Sequence, residues 1–152
     1  SEMGIARIEK MIALAERNKV QLAFENVSVS KHLKYILDNY DSPYVGMCYD
    51  SGHEHCWTSD VDWLGLYRKR IFAIHLHDND GNKDAHLLPF EGTIDWDLKM
   101  RKIAESSYAG SITIEAEYNS KGVYADQGLD AFLLKTYEVG IQLDEFIKRY
   151  RK

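Results

Sequence analysis

The stretch from Ile71 to Trp96 most narrows what this chain can fold into. It opens with Ile71-Phe72-Ala73-Ile74, an apolar run bounded by polar residues, the pattern of a strand buried on both faces. The run leads directly into His75-Leu76-His77-Asp78-Asn79-Asp80. A loop of Gly81-Asn82-Lys83-Asp84-Ala85-His86 follows, and then Pro89-Phe90-Glu91-Gly92-Thr93-Ile94-Asp95-Trp96 at the start of a helix. An apolar strand with ligand-type side chains at its C-terminal end, then loop and helix, is how a parallel α/β sheet presents a site.

The rest of the chain repeats this grammar. Ile5, Ile8, Met11, Ile12 and Ala15 recur at helical spacing and predict an amphipathic helix over 4–18. Val20 to Phe24 reads as a short strand ending in Glu25-Asn26, and Ser30 as the N-cap of a helix whose inner face carries Leu33, Ile36 and Leu37. Asp41-Ser42-Pro43 breaks that helix. Tyr44 to Tyr49 is the next strand, ending in Asp50-Ser51-Gly52-His53, and a helix is expected over 60–70. A further helix starts near Asp95, with Gly110 as its expected C-cap, before a fourth strand, Ser111 to Ile114, ends in Glu115. The last helix is expected over 126–150, with Phe132, Leu133, Tyr137, Ile141 and Phe146 inward and Gly140 as a point of bending or division. The expected architecture is α/β: one helix followed by four βα units on a parallel sheet, forming a single domain over 1–152.

Charge and cysteine usage remove several function classes. The net charge is −5, and the basic clusters are confined to Arg68-Lys69-Arg70 and the terminal Lys148 to Lys152, so a nucleic-acid surface is not expected. No apolar run approaches the roughly 20 residues of a membrane helix. Ser1 opens an amphipathic segment rather than a charged and then apolar leader, so no signal peptide is expected. Cys48 and Cys56 do not make a disulfide framework, which points to a reduced, cytoplasmic setting. No Gly-rich phosphate loop follows a strand, and no GxSxG elbow exists.

The strand ends offer Glu25, Asp50, His75 and Glu115. Parallel strands place their C-terminal ends on one rim, so a curled sheet brings these groups together. Three carboxylates and one imidazole suit Mn²⁺, Mg²⁺ or Zn²⁺ as a bound divalent ion. Each group also has a plainer reading. Glu25 alone fits a solvated strand end, and Asp50-Ser51-Gly52-His53 fits a turn. His77 fits a core or supporting histidine as well as a substrate contact, and Asp84 and His86 sit in a polar loop. Glu117 shares the parity of Glu115, so either could be the ligand. Trp57, Trp63 and Trp96 suit core or pocket wall, and Asp95-Trp96 a helix cap and anchor. His75 is the hardest to set aside, because an unpaired imidazole inside an apolar run costs free energy.

Taken together, Ala23-Phe24-Glu25-Asn26, Cys48 to His53, His75 to Asn79, Asp84 to Pro89, Glu91 to Trp96 and Thr113-Ile114-Glu115 resemble the successive motifs of the xylose-isomerase-like TIM barrels. That superfamily holds sugar and sugar-phosphate isomerases and epimerases together with metal-dependent apurinic-site endonucleases. The resemblance implies that Glu25, Asp50, His75 and Glu115 hold one divalent ion, that Glu25 and Glu115 exchange protons with substrate through an enediolate, and that His53, His77 and Trp96 face substrate. It also implies that Asp84 and His86, with His53, are possible ligands for additional metal. Phe90 departs from the Gly usual at its position and puts the shape of its loop in question.

A full barrel needs about 250 residues and eight strands. The four expected here resemble strands five to eight, the C-terminal half of a TIM barrel. The resemblance therefore implies a homodimer or association with a missing N-terminal half-barrel, with a carbohydrate or sugar phosphate as substrate. A metal-dependent phosphodiesterase and a catalytically silent metal-binding half-barrel are the alternatives.

Overall fold

Strands form where a short apolar run precedes an acid or imidazole. In the computed structural model, which describes residues 2–119 and 122–151, β1 (Leu22–Glu25), β2 (Val45–Asp50) and β3 (Ile71–His75) lie parallel in the order β1-β2-β3. Ser1, where the N-terminal amphipathic segment opens, and Lys152, at the end of the terminal basic cluster, lie outside the described residues. β2 is the central strand and is buried along its whole length, as its continuous apolar sequence requires. The register sets Glu25 beside Cys48 and Asp50 beside His75.

Helices cover the sheet: α1 (Glu2–Asn18), α2 (Ser30–Asn39), α3 (Ser51–Trp57), α4 (Trp63–Leu66), α5 (Trp96–Ala104) and α6 (Gly128–Tyr150). The core between them and the sheet is built on Leu37, Met47, Tyr49, Trp63, Ile74 and Leu143. Arg70 ties the base together, its guanidinium donating to the Tyr40 and Val45 carbonyls at 2.7 Å and to that of Leu37. It thereby satisfies carbonyls that the end of α2 would otherwise leave open.

Several elements differ from the sequence expectation. Ser111 to Ile114 does not form a full strand: it makes a single parallel bridge, Leu76 to Ile114, with Leu76 N donating to Thr113 O at 2.9 Å. The sheet therefore has three strands rather than four. The helix expected over 60–70 shrinks to α4, because Asp62 caps it by accepting from Gly65 N and Arg70 N already turns back to Tyr67 O. Conversely, Ser51 to Trp57 is a helix where the residues suggested a turn, since the Asp50 side chain caps it by accepting from His53 N at 2.7 Å. Ser30 is the first residue of α2 rather than its cap, a position Val29 occupies. Gly110 lies beyond the end of α5, whose C-cap is Glu105. α6 runs through Gly140 without division. On α6, Phe132, Val139, Leu143 and Ile147 are buried, whereas Leu133, Tyr137 and Ile141 are exposed, as is Met11 on α1. The apolar stripes of the flanking helices are thus wider than this sheet covers. No described helix is long and apolar enough to cross a membrane.

Candidate metal centre

Two side chains that no simple pattern flags set the rim of the sheet. Asn26 is fully buried just past β1; its Nδ2 donates to Asp50 O at 2.8 Å and its Oδ1 accepts from Asp50 N at 2.7 Å. The amide thus continues the ladder by one step and fixes Asp50 against Glu25. The Ser51 hydroxyl donates to His77 O at 2.8 Å and accepts from His77 N at 3.1 Å, stitching α3 to the chain after β3.

On this frame the sheet brings Glu25, Asp50, His75 and Glu115 together, with one ligand atom from each lying within 4.8 Å of all the others. His75 Nδ1 stands 2.8 Å from Glu25 Oε1 and 3.1 Å from Glu115 Oε2. Asp50 has no exposed side-chain surface, and among the described residues neither its Oδ2 nor Glu115 Oε2 has a hydrogen-bond partner. Buried carboxylate oxygens without donors are costly, and a cation is the group that would satisfy them. Glu115 N, rather than Glu117 N, bonds to the sheet through Leu76 O, at 3.0 Å; Glu117 N instead bonds to His86 O at 2.9 Å. That pairing separates the two acids that parity alone left equivalent.

A second group, His53, His77, Asp84 and His86, lies alongside. Its chemistry is legible from one hydrogen bond. His86 Nδ1 is 2.8 Å from Glu115 O, and a carbonyl only accepts, so Nδ1 carries the hydrogen and the neutral ring keeps its lone pair at Nε2. That Nε2 faces Asp84 Oδ2 at 3.4 Å. A lone pair pointed at a carboxylate needs a proton or cation between them. His53 Nε2 is 3.3 Å from the same oxygen, and His77 stacks on His86 with ring centroids 4.0 Å apart. Asp50 joins the two groups: its Oδ1 lies 3.1 Å from His77 Nε2, although without hydrogen-bond alignment, and 3.7 Å from His53 Nδ1.

Burial pushes the His77 pKa down, but the facing Asp50, Asp84 and Glu115 carboxylates outweigh it and hold it above the ordinary imidazole value. Burial likewise pushes Asp50 up, and His77 together with the His53 N–H more than offsets it, leaving Asp50 below the usual range. Burial and the surrounding carboxylates raise the Cys48 thiol to about 12.

His77 and Trp96, which the resemblance sets facing substrate, are both buried. His77 is fully buried behind Asp50, and Trp96, 3% exposed, donates its Nε1 to Asp78 Oδ2 at 2.7 Å. Asp95 caps α5 as expected, accepting from Leu98 N at 3.0 Å. Phe90 takes φ 76°, the left-handed conformation that Gly adopts without strain, so the backbone path survives the bulkier residue. Its ring packs on Trp96 and Phe146.

A parallel α/β sheet with carboxylates and imidazoles converging at its C-terminal rim defines a barrel-type α/β protein with a candidate cation site. The chain belongs to the xylose isomerase-like TIM barrel family, whose sequence profile matches residues 2–136. It is 33% identical over 143 residues to the uncharacterized protein y4fM of Sinorhizobium fredii, covering 90% of this chain and 44% of that protein. It is 27% identical over 111 residues to the inosose dehydratase of Bacillus velezensis, covering 60% of this chain and 37% of the relative. The chain thus spans less than half the length of the curated relatives it matches. Among solved structures, an IolI protein with a bound zinc atom superposes with a TM-score of 0.74 at 18% identity, over 94% of this chain and 54% of that one. A D-tagatose 3-epimerase-like protein superposes with a TM-score of 0.67 at 24% identity, over 88% and 54%. At these identities the likeness is one of fold.

Proposed function

We propose that this chain is part of a divalent-metal-dependent sugar or sugar-phosphate isomerase or epimerase. The observation that carries the reading is the convergence of Glu25, Asp50, His75 and Glu115, whose ligand atoms lie within 4.8 Å of one another. Three carboxylates and an imidazole fit Mn²⁺, Mg²⁺ or Zn²⁺. A divalent ion held there would polarise a substrate carbonyl and lower the cost of removing the neighbouring C–H proton.

The side chains divide the remaining work by exposure. Asp50, with no exposed side-chain surface, holds the ion and cannot reach substrate. Glu25 and Glu115 have side chains 31% and 42% exposed and approach His75 Nδ1 as separate partners. That exposure supports a role in taking a proton from carbon and returning one, as base and acid. His53, whose side chain is 11% exposed, orients a substrate oxygen or joins Asp84 and His86 in holding a further ion. A panel of ketoses and their phosphates, incubated with Mn²⁺ in D₂O, should show solvent deuterium entering at the carbon next to the carbonyl. Glu115→Gln should keep metal and lose about 10²–10⁴-fold in exchange rate. Unchanged exchange would remove Glu115 from that role.

The second cluster favours one other reading, a metal-dependent phosphodiesterase with several ions. More than one bound ion per chain, together with salt-dependent DNA binding, would support it over the isomerase. Metal binding with no turnover on any substrate would leave a silent half-barrel. Leu14 and Val20 are exposed beside β1, and a groove of about 410 Å³ opens between Ile114 and Tyr137 on the opposite flank. We read these as surfaces for the rest of a barrel, supplied by a second copy or an N-terminal half. A well-folded monomer of this 152-residue chain in size-exclusion chromatography would count against that pairing.

A further inference from the structure

Cys48 takes no part in the chemistry above, yet it is built into the same site. It lies on β2 two positions before Asp50, on the same face of the strand, and its register partner on β1 is Glu25. The residue is 5% exposed. Its Sγ, a Glu25 carboxylate oxygen and a His75 ring nitrogen all lie within 4.8 Å of one another. Glu25 and His75 therefore belong to two overlapping ligand sets. One is completed by Asp50 and Glu115 and offers hard oxygen donors; the other is completed by a sulfur deeper in the sheet. Beside the thiol, the fully buried Asp50 has no hydrogen-bond partner at Oδ2 among the described residues, a second polar group that a cation at this rim would satisfy.

We propose that Cys48 is a metal-selectivity residue: with Zn²⁺, Co²⁺ or Cd²⁺ its sulfur joins Glu25 and His75 as a ligand, whereas Mg²⁺ and Mn²⁺ use the oxygens of Asp50 and Glu115 instead. Soft thiolates favour the first group of ions and hard oxygens the second. Binding breaks the S–H bond, forms a sulfur–metal bond and releases one proton to solvent, with no change in oxidation state. The inference rests on the proposed ion site, and its test separates the failure of one from the failure of the other.

The 152-residue chain is stripped with chelator and titrated with Co²⁺, following heat by calorimetry and absorbance in the near ultraviolet. Bound Co²⁺ should give a thiolate-to-cobalt charge-transfer band. Cys48→Ser should lose the band while still binding Co²⁺, and Cys56→Ser should keep it. The preference for Cd²⁺ over Mg²⁺ should fall at least about 10-fold in Cys48→Ser, the scale at which even outer-shell partners of a metal count. X-ray absorption on the zinc-loaded wild type needs no variant and should show a sulfur scatterer at about 2.3 Å. Co²⁺ binding without the band, with only nitrogen and oxygen around the zinc, overturns the role of Cys48 and leaves the oxygen site standing. No heat and no bound Co²⁺ overturns both.

Discussion

Asp78 holds the loop that delivers Asp84 and His86, and its removal makes the sharpest structural prediction. The residue is fully buried. Its Oδ1 accepts from Asn79 N at 2.9 Å and Ile94 N at 3.2 Å; its Oδ2 accepts from Phe90 N at 3.1 Å and Trp96 Nε1 at 2.7 Å. Asp78→Ala orphans three donors from distant parts of the loop, and an unsatisfied buried donor costs about 1–3 kcal/mol. Water entering the vacated space recovers part of this, so the expected loss is about 3–5 kcal/mol, a large share of the 5–15 kcal/mol typical of a domain. In urea, with chelator present and a slope of about 2 kcal/mol/M, the midpoint should fall by about 2 M. Trp96→Phe removes one of the donors and should cost about 1–2 kcal/mol. A midpoint shift in Asp78→Ala no larger than that in Trp96→Phe would refute the account of the loop.

Three further outcomes follow from the geometry. A Cβ on Gly52 would fall 1.9 Å from His77 Cε1, so Gly52→Ala should lose about 1–3 kcal/mol through overpacking and weaken binding of a second ion, read by urea unfolding and metal titration. Asn26→Ala should leave the Asp50 N–H without its partner, costing about 1–3 kcal/mol and lowering affinity for the first ion; unchanged affinity would remove Asn26 from positioning Asp50. The folded His77 pKa lies above its unfolded value. Its contribution to the metal-free protein is therefore fully present below about pH 6.5 and is lost as pH rises through the folded pKa. Urea midpoints with chelator should fall from mild acid toward alkaline pH, and His77→Gln should flatten that slope; parallel slopes in both proteins would contradict the assignment.

The fold was most readable where backbone burial and side-chain chemistry coincide. Val45 to Tyr49 is buried throughout and Ile71 to Ile74 is buried at Ile71 and Ile74 and half-buried between them, so both strands announce themselves by continuous apolar sequence, and the acid or imidazole ending each one marks the rim of the sheet. Elements held by side-chain hydrogen bonds were harder to see. Ser51-Gly52-His53-Glu54 reads as a turn until Asp50 is known to cap it. Asn26 looks like an ordinary strand-end residue, and its ladder-like bonds to Asp50 exist only once β1 and β2 are paired. His77 was readable as a core histidine or a substrate contact alike; its full burial and its face-to-face stacking on His86, which sits at a left-handed turn with φ 44°, show only in the fold. The apolar residues at 111–114 overstated a strand, which makes only one bridge, to Leu76 just past the end of β3. Local composition carries the tendency to extend; a ladder also needs neighbours.

Anomalous scattering from crystals soaked in Mn²⁺ tests the central claim most directly. The account predicts a peak in contact with Glu25, Asp50, His75 and Glu115, whose ligand atoms already lie within 4.8 Å of one another. Crystals with no peak there, or with manganese bound only elsewhere, would contradict it.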